Sequence, residues 1–173
     1  MNLKTCLLLF ALLGATSCGY RLSGSGGLTP TGAKTIAIPV FLNGTNEPYV
    51  DSDVTQAVIE EFLADGRLRV AGLEEADLVL HGKVTRFELI ALSYSPDAIV
   101  QQYKVRLVVE AGLEDLKTRK ILWQEKGIES LFISDYPVAI GDIRATKISK
   151  EAAVKKASQD IAWTLRSRVL EGF

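Results

Sequence analysis

Tyr103-Lys104-Val105-Arg106-Leu107-Val108-Val109-Glu110-Ala111 decides the fold. Successive side chains on a β-strand point to opposite faces. Tyr103, Val105, Leu107, Val109 and Ala111 therefore share one face, and Lys104, Arg106 and Glu110 the other. One face suits a core and the other suits water, as in an antiparallel sheet covered on one side. The flanking segments extend that sheet. Residues 78–92 read as a long strand, with Leu78, Leu80, Gly82 and Val84 on one face and His81, Lys83 and Thr85 on the other. Residues 93–98 form a loop centred on Pro96. Residues 116–119 turn the chain, and residues 121–128 return as another strand. Upstream, residues 35–41 are β-branched and apolar, broken by Pro39, and read as a strand near an edge. Residues 68–70 make a brief extended piece, and residues 135–143, with Pro137, read as irregular.

Two segments have helical spacing instead. Asn43-Gly44 marks a turn. After Pro48, Asp51 or Ser52 is placed to cap a helix carrying Val54, Ala57, Val58 and Phe62, with Glu60 and Glu61 off the stripe, until Asp65-Gly66 stops it. Near the C-terminus Ser149 is a plausible cap. Val154, Ala157, Ile161, Leu165 and Val169 follow at spacings of three and four, with Lys155, Lys156, Arg166 and Arg168 on the other sides. The expected architecture is α+β: a two-layer sandwich with two helices packed on one face of a mainly antiparallel four-stranded sheet, built as a single domain from residues 34–173.

The N-terminus has a different character. Lys4 is followed by an uncharged apolar run over residues 6–13, too short for the roughly 20 residues that span a bilayer. Ala15-Thr16-Ser17 then place small residues before Cys18, so residues 1–17 read as a cleavable signal peptide. The junction resembles the lipobox of bacterial lipoproteins, with Ala15 standing where that pattern usually has Leu. The resemblance implies that Cys18 carries the lipid. Gly19 is not the Asp that retains lipoproteins at the inner membrane, which points to the outer membrane, facing the periplasm. The alternative is an ordinary secretory signal followed by an incidental cysteine. Residues 18–33 then form a lipidated tether, and Gly24-Ser25-Gly26-Gly27 make it flexible.

Composition excludes several functions. Without Lys4 the 20 basic residues become 19, against 21 acidic ones. That balance lacks the basic excess of a nucleic-acid binder. Cys18 is the only cysteine left after cleavage, so neither an internal disulfide nor a thiol nucleophile is available. The single histidine, His81, has no Cys or second His to form a zinc site, and no serine sits in a nucleophile-elbow context. Glu60-Glu61 and Glu74-Glu75 are adjacent pairs that point apart. No enzyme activity and no cofactor are expected. Lys83, Lys104, Arg106 and Lys126 are the candidate binding residues: on the helix-free face they suit phosphate groups through charge-assisted hydrogen bonds. The alternative is a solvated face of mixed charge, since Glu110 and Glu125 lie close by.

Several segments resemble the lipopolysaccharide-assembly lipoproteins of the LptE family. They are Cys18-Gly19-Tyr20-Arg21-Leu22, Thr35-Ile36-Ala37-Ile38-Pro39-Val40-Phe41 with Asn43, Thr45 and Glu47-Pro48, and Glu75-Ala76-Asp77-Leu78-Val79-Leu80-His81-Gly82. Tyr103-Lys104-Val105-Arg106-Leu107, Ile121-Leu122-Trp123 and the terminal Glu171-Gly172-Phe173 are similar as well. The resemblance implies two helices over a four-stranded sheet. It also implies a plug inside a large outer-membrane β-barrel, in a one-to-one complex that inserts lipopolysaccharide into the outer leaflet. Contact with lipopolysaccharide itself is implied, with Lys104, Arg106, Lys83 and Lys126 as candidates from the sheet argument alone. The competing expectation is another outer-membrane lipoprotein module, an adaptor that activates a peptidoglycan synthase or part of a secretion complex.

Overall fold

A computed structural model describes residues 32–131 and 134–171. The predicted signal peptide, Cys18 and the tether up to residue 31 lie outside the described residues.

The centre of the sheet is a hairpin of two long strands, β4 (Leu78–Tyr94) and β5 (Val100–Asp115), paired antiparallel from Leu78↔Asp115 to Tyr94↔Val100. β5 continues antiparallel to β6 (Lys120–Glu129) and β7 (Asp135–Pro137). The predicted alternation sets the layers: Val105, Leu107, Val109 and Leu113 are buried toward the helices.

Among the described residues the sheet has seven strands and is mixed, not four-stranded and mainly antiparallel. Pro39 divides the first extended segment into β1 (Thr35–Ala37) and β2 (Leu42–Asn43), and both lie parallel to β4. Proline has no N–H for the ladder. β3 (Arg69–Val70) pairs parallel with β1 after the crossover through helix α1 (Val50–Asp65). A parallel return needs such a crossover, so the brief 68–70 piece belongs to the sheet. Residues 135–137 are not irregular either. Ser130 and Ser134 carry β6 into β7: Leu107 N–H donates to Ser130 Oγ (3.1 Å) and Ser134 Oγ donates to Val105 O (2.7 Å). The broken strand keeps its grip on β5 through these hydroxyls and through backbone bonds from Ser130 N–H to Leu107 O and from Val105 N–H to Ser134 O, each at 3.0 Å.

Both helices start differently from expectation. α1 begins at Val50, after Tyr49 in the left-handed conformation (φ 65°) and with no side-chain cap; Asp51 and Ser52 fall inside the first turn. Thr55 replaces a cap as the local anchor. Its hydroxyl donates to Asp51 O (2.6 Å) and accepts from Phe41 N–H (3.0 Å), tying the helix to the link between β1 and β2. Gly66, at φ 74°, ends the helix as predicted. Helix α2 (Ile143–Glu171) starts six residues before Ser149, because Asp142 Oδ1 accepts Ala145 N–H at 2.9 Å. The predicted stripe from Val154 to Val169 is buried.

Arg166 does not serve a solvated side of α2. It lies against α1, with Nε 3.0 Å from Glu61 and Nη1 3.0 Å from Asp65. Gly82 is required by contact: a Cβ there would stand 2.2 Å from the Phe41 ring, which lies over β4.

The core thins toward one end. β4 has no buried residue beyond Val84, and α2 has none before Ala153. The distal half of the β4–β5 hairpin is therefore an arm, faced on its helix side by β7 and the first turns of α2.

Candidate functional site

The arm and the helix-free face of the hairpin make up the candidate site. Register assigns the side chains. Lys83 stands opposite Glu110, Glu88 opposite Arg106, and Ile90 opposite Lys104. Lys83, Lys104 and Arg106 therefore share the face away from the helices. A register shift between Val84 and Arg86 absorbs one extra residue of β4 and preserves that arrangement on β5. Lys104 and Arg106 are two residues apart, about 7 Å, and Lys83 lies about 13 Å from Arg106 along the strand direction.

The three cations differ in what holds them. Arg106 is engaged on both sides, with Nη1 3.2 Å from Glu88 and Nε 3.5 Å from Glu129. Glu88 also receives Arg86 at 3.7 Å. Among the described residues Lys83 and Lys104 carry no ion pair. Asp135, opposite Lys104 in β7, accepts a hydrogen bond from Gln102. Lys126 follows Glu125, which pairs with the helix-side Ala111, so it falls on the outer face beside Glu110. It sits in a bulge of β6 beside Gly127 (φ 74°), where two residues oppose Glu110. Glu125 turns to the helix side and meets Arg168 at 3.1 Å, so it does not neutralise the basic face. His81 is exposed on the same outer face, with Nε2 3.7 Å from Glu114. Among the described residues no group of three His, Cys, Asp or Glu is placed to hold a metal ion.

The apolar part of the site was not visible in the alternation pattern. Leu89, Ile90, Leu92 and Tyr94 of β4 and Ile99 at the hairpin turn are all exposed. Across from the turn, Ile140 and Ile143 are exposed as well, the latter at 89 %. An apolar groove of about 550 Å³ between them is lined by Ile99, Val138, Ala139, Ile140 and Ile143, with Lys147 and Lys150 on its rim. Apolar side chains gathered at one end mark an interaction surface more often than scattered ones do. The sequence signal was present in Leu89-Ile90 and Leu92, where apolar residues occupy both faces of one strand. No helix among the described residues is long and apolar enough to cross a membrane.

The family model for LptE, lipopolysaccharide-assembly, matches residues 33–169. The chain belongs to the LptE family. The match runs from the approach to β1 to the last turn of α2, so the arm and its cations lie within the LptE region. No curated protein matches the chain by sequence. Among solved structures, rare lipoprotein B from Shewanella oneidensis is similar at 20 % identity and a TM-score of 0.50, covering 78 % of this chain and 91 % of its own. A minor lipoprotein from Acinetobacter baumannii is similar at 13 % identity and a TM-score of 0.52, covering 80 % and 91 %. Protein CT253 from Chlamydia trachomatis is similar at 10 % identity and a TM-score of 0.53, covering 79 % and 95 %. At these identities the likeness is one of fold.

Proposed function

We propose that this LptE-family protein is a lipid-anchored outer-membrane lipoprotein that plugs, and helps assemble, the β-barrel through which lipopolysaccharide reaches the outer leaflet. The observation that carries the reading is the family match over the whole described fold. Three features support it. Cys18 follows a signal peptide with lipoprotein character, and a Gly-rich tether lets the domain stand off the membrane. The arm exposes apolar side chains on both faces, as suits a segment enclosed by a partner. Lys104 and Lys83, which make no ion pair among the described residues, stand on the helix-free face beside Arg106. There they are free to make charge-assisted hydrogen bonds to lipopolysaccharide phosphates. Lys126 stands across Glu110 from Lys83, so a carboxylate lies between those two cations.

Depletion in the native bacterium tests the role. The reading expects folded barrel in the outer membrane to fall, and lipopolysaccharide at the cell surface to fall with it. Normal levels of both after complete depletion would contradict it.

A further inference from the structure

β4 is paired on one edge along its whole length and on the other only in part. β1 covers Leu78 and Val79, and β2 covers Lys83 and Val84. Gly44 N–H donates to Val84 O at 2.8 Å, and there the first segment leaves the sheet. Asn43 Oδ1 holds the departing turn, accepting from the Thr45 N–H and hydroxyl at 2.9 Å each. Among the described residues no strand pairs with this second edge over residues 86–94. The vacated position is a groove of about 420 Å³, walled by Thr45, Asn46 and Glu47 on one side and by Arg86, Phe87 and Leu89 on the other. Its walls are braced: Lys150 Nζ sits 5.3 Å over the Phe87 ring and 2.6 Å from Glu47.

We propose that this edge receives an added β-strand, supplied by an extended segment of the barrel partner with apolar side chains at every second position. The inference rests on the barrel reading. Free N–H and C=O groups along a strand edge are matched by another extended backbone, which makes the occupant a polypeptide, not a lipid or a glycan. Phe87 and Leu89 line the helix side of the groove, so alternate residues of the added strand meet apolar surface. A second copy of this chain fits less well. Nine residues of edge span about 30 Å, and at a width of roughly 10 Å they bury about 300 Å² per copy, against about 800 Å² per partner in a stable interface. Edge pairing alone is too small to hold a dimer. For a barrel that grips the molecule elsewhere, the same edge adds affinity and fixes register. The exposed Leu89, Ile90, Leu92 and Tyr94 make an unprotected edge, whereas lysines commonly guard edges that stay unpaired.

The test compares amide hydrogen exchange over residues 86–94 in the full lipoprotein alone and in its complex with the barrel, purified from solubilised outer membranes. The expected result is at least ten-fold slower exchange at alternate amides in the complex. The double variant Ile90→Lys/Leu92→Lys should recover at least ten-fold less barrel while keeping the wild-type melting temperature, since both side chains are exposed. Should that variant fold poorly, the exchange of the wild type decides alone. Barrel recovered with exchange unchanged overturns the added strand and leaves the barrel reading standing. Protection that appears without barrel, and grows with protein concentration, overturns it in favour of a second copy. If no barrel is recovered, both readings fall.

Discussion

Asp65 ends α1 and binds Arg67 through both carboxylate oxygens, each contact at 2.7 Å, while Arg166 of α2 reaches one of them at 3.0 Å. The hydrogen bonds from Arg67, with Arg166 adding to them, pull its pKa from 3.8 down to about 2 against the opposing effect of burial. A carboxyl whose folded pKa is depressed contributes its full stabilisation above about pH 4 and loses it as the pH falls through about 2. Asp65→Asn should therefore lower the melting temperature at neutral pH and flatten its decline between pH 4 and pH 2. Melting curves across that window check this, and an unchanged slope counts against the assignment. Asp77 is held further below the ordinary carboxylate range, first by Lys117 and then by Lys34 N–H and the Thr35 hydroxyl. It pins the start of β1 to the start of β4. Leu107, fully buried in the middle of β5, sets the other extreme. Leu107→Asp buries an uncompensated charge and should cost more than about 4 kcal/mol. A near-normal melting temperature would mean that the strand faces are reversed.

On the scale of elements, the β4–β5 hairpin combines two surfaces, a cationic row on the helix-free face and an apolar arm. Lys104→Glu together with Arg106→Gln should weaken lipopolysaccharide binding about ten-fold, equivalent to about 1.4 kcal/mol, without unfolding the domain. Titration with purified lipopolysaccharide measures it. Equal affinities would leave that face as solvated mixed charge, consistent with the Glu88 and Glu129 contacts already made by Arg106. The strands of this hairpin were legible in the sequence because their alternation spans many residues and one face is buried. The pieces β1, β2, β3 and β7 were not, since two or three residues carry no period and their pairing depends on where α1 and the Ser130–Ser134 stitch bring the chain back. The start of α2 was hidden for a related reason: residues 143–152 bury nothing, so no apolar stripe marks them. The cations Lys104, Arg106 and Lys83 could be placed on one face from alternation alone. The free β4 edge could not be, because it exists only where Gly44 turns the first segment away from Val84.

Taken whole, the molecule has two ends. The described chain enters at Gly32 beside the Leu78 end of β4, while the arm lies at the other end of a strand about 55 Å long. With the proposed lipid on Cys18, the anchor would join the domain at the end farthest from the arm, which would hold the apolar surface away from it. Cys18→Ala should release the protein from the membrane fraction into the soluble periplasm, and undiminished pelleting would contradict the lipid anchor. Partnership with a barrel is decided by purifying the tagged lipoprotein from detergent-solubilised envelopes. A large outer-membrane β-barrel should be recovered with it in one-to-one amount. Recovery of a peptidoglycan synthase in its place, or of no barrel at all, would contradict that partnership.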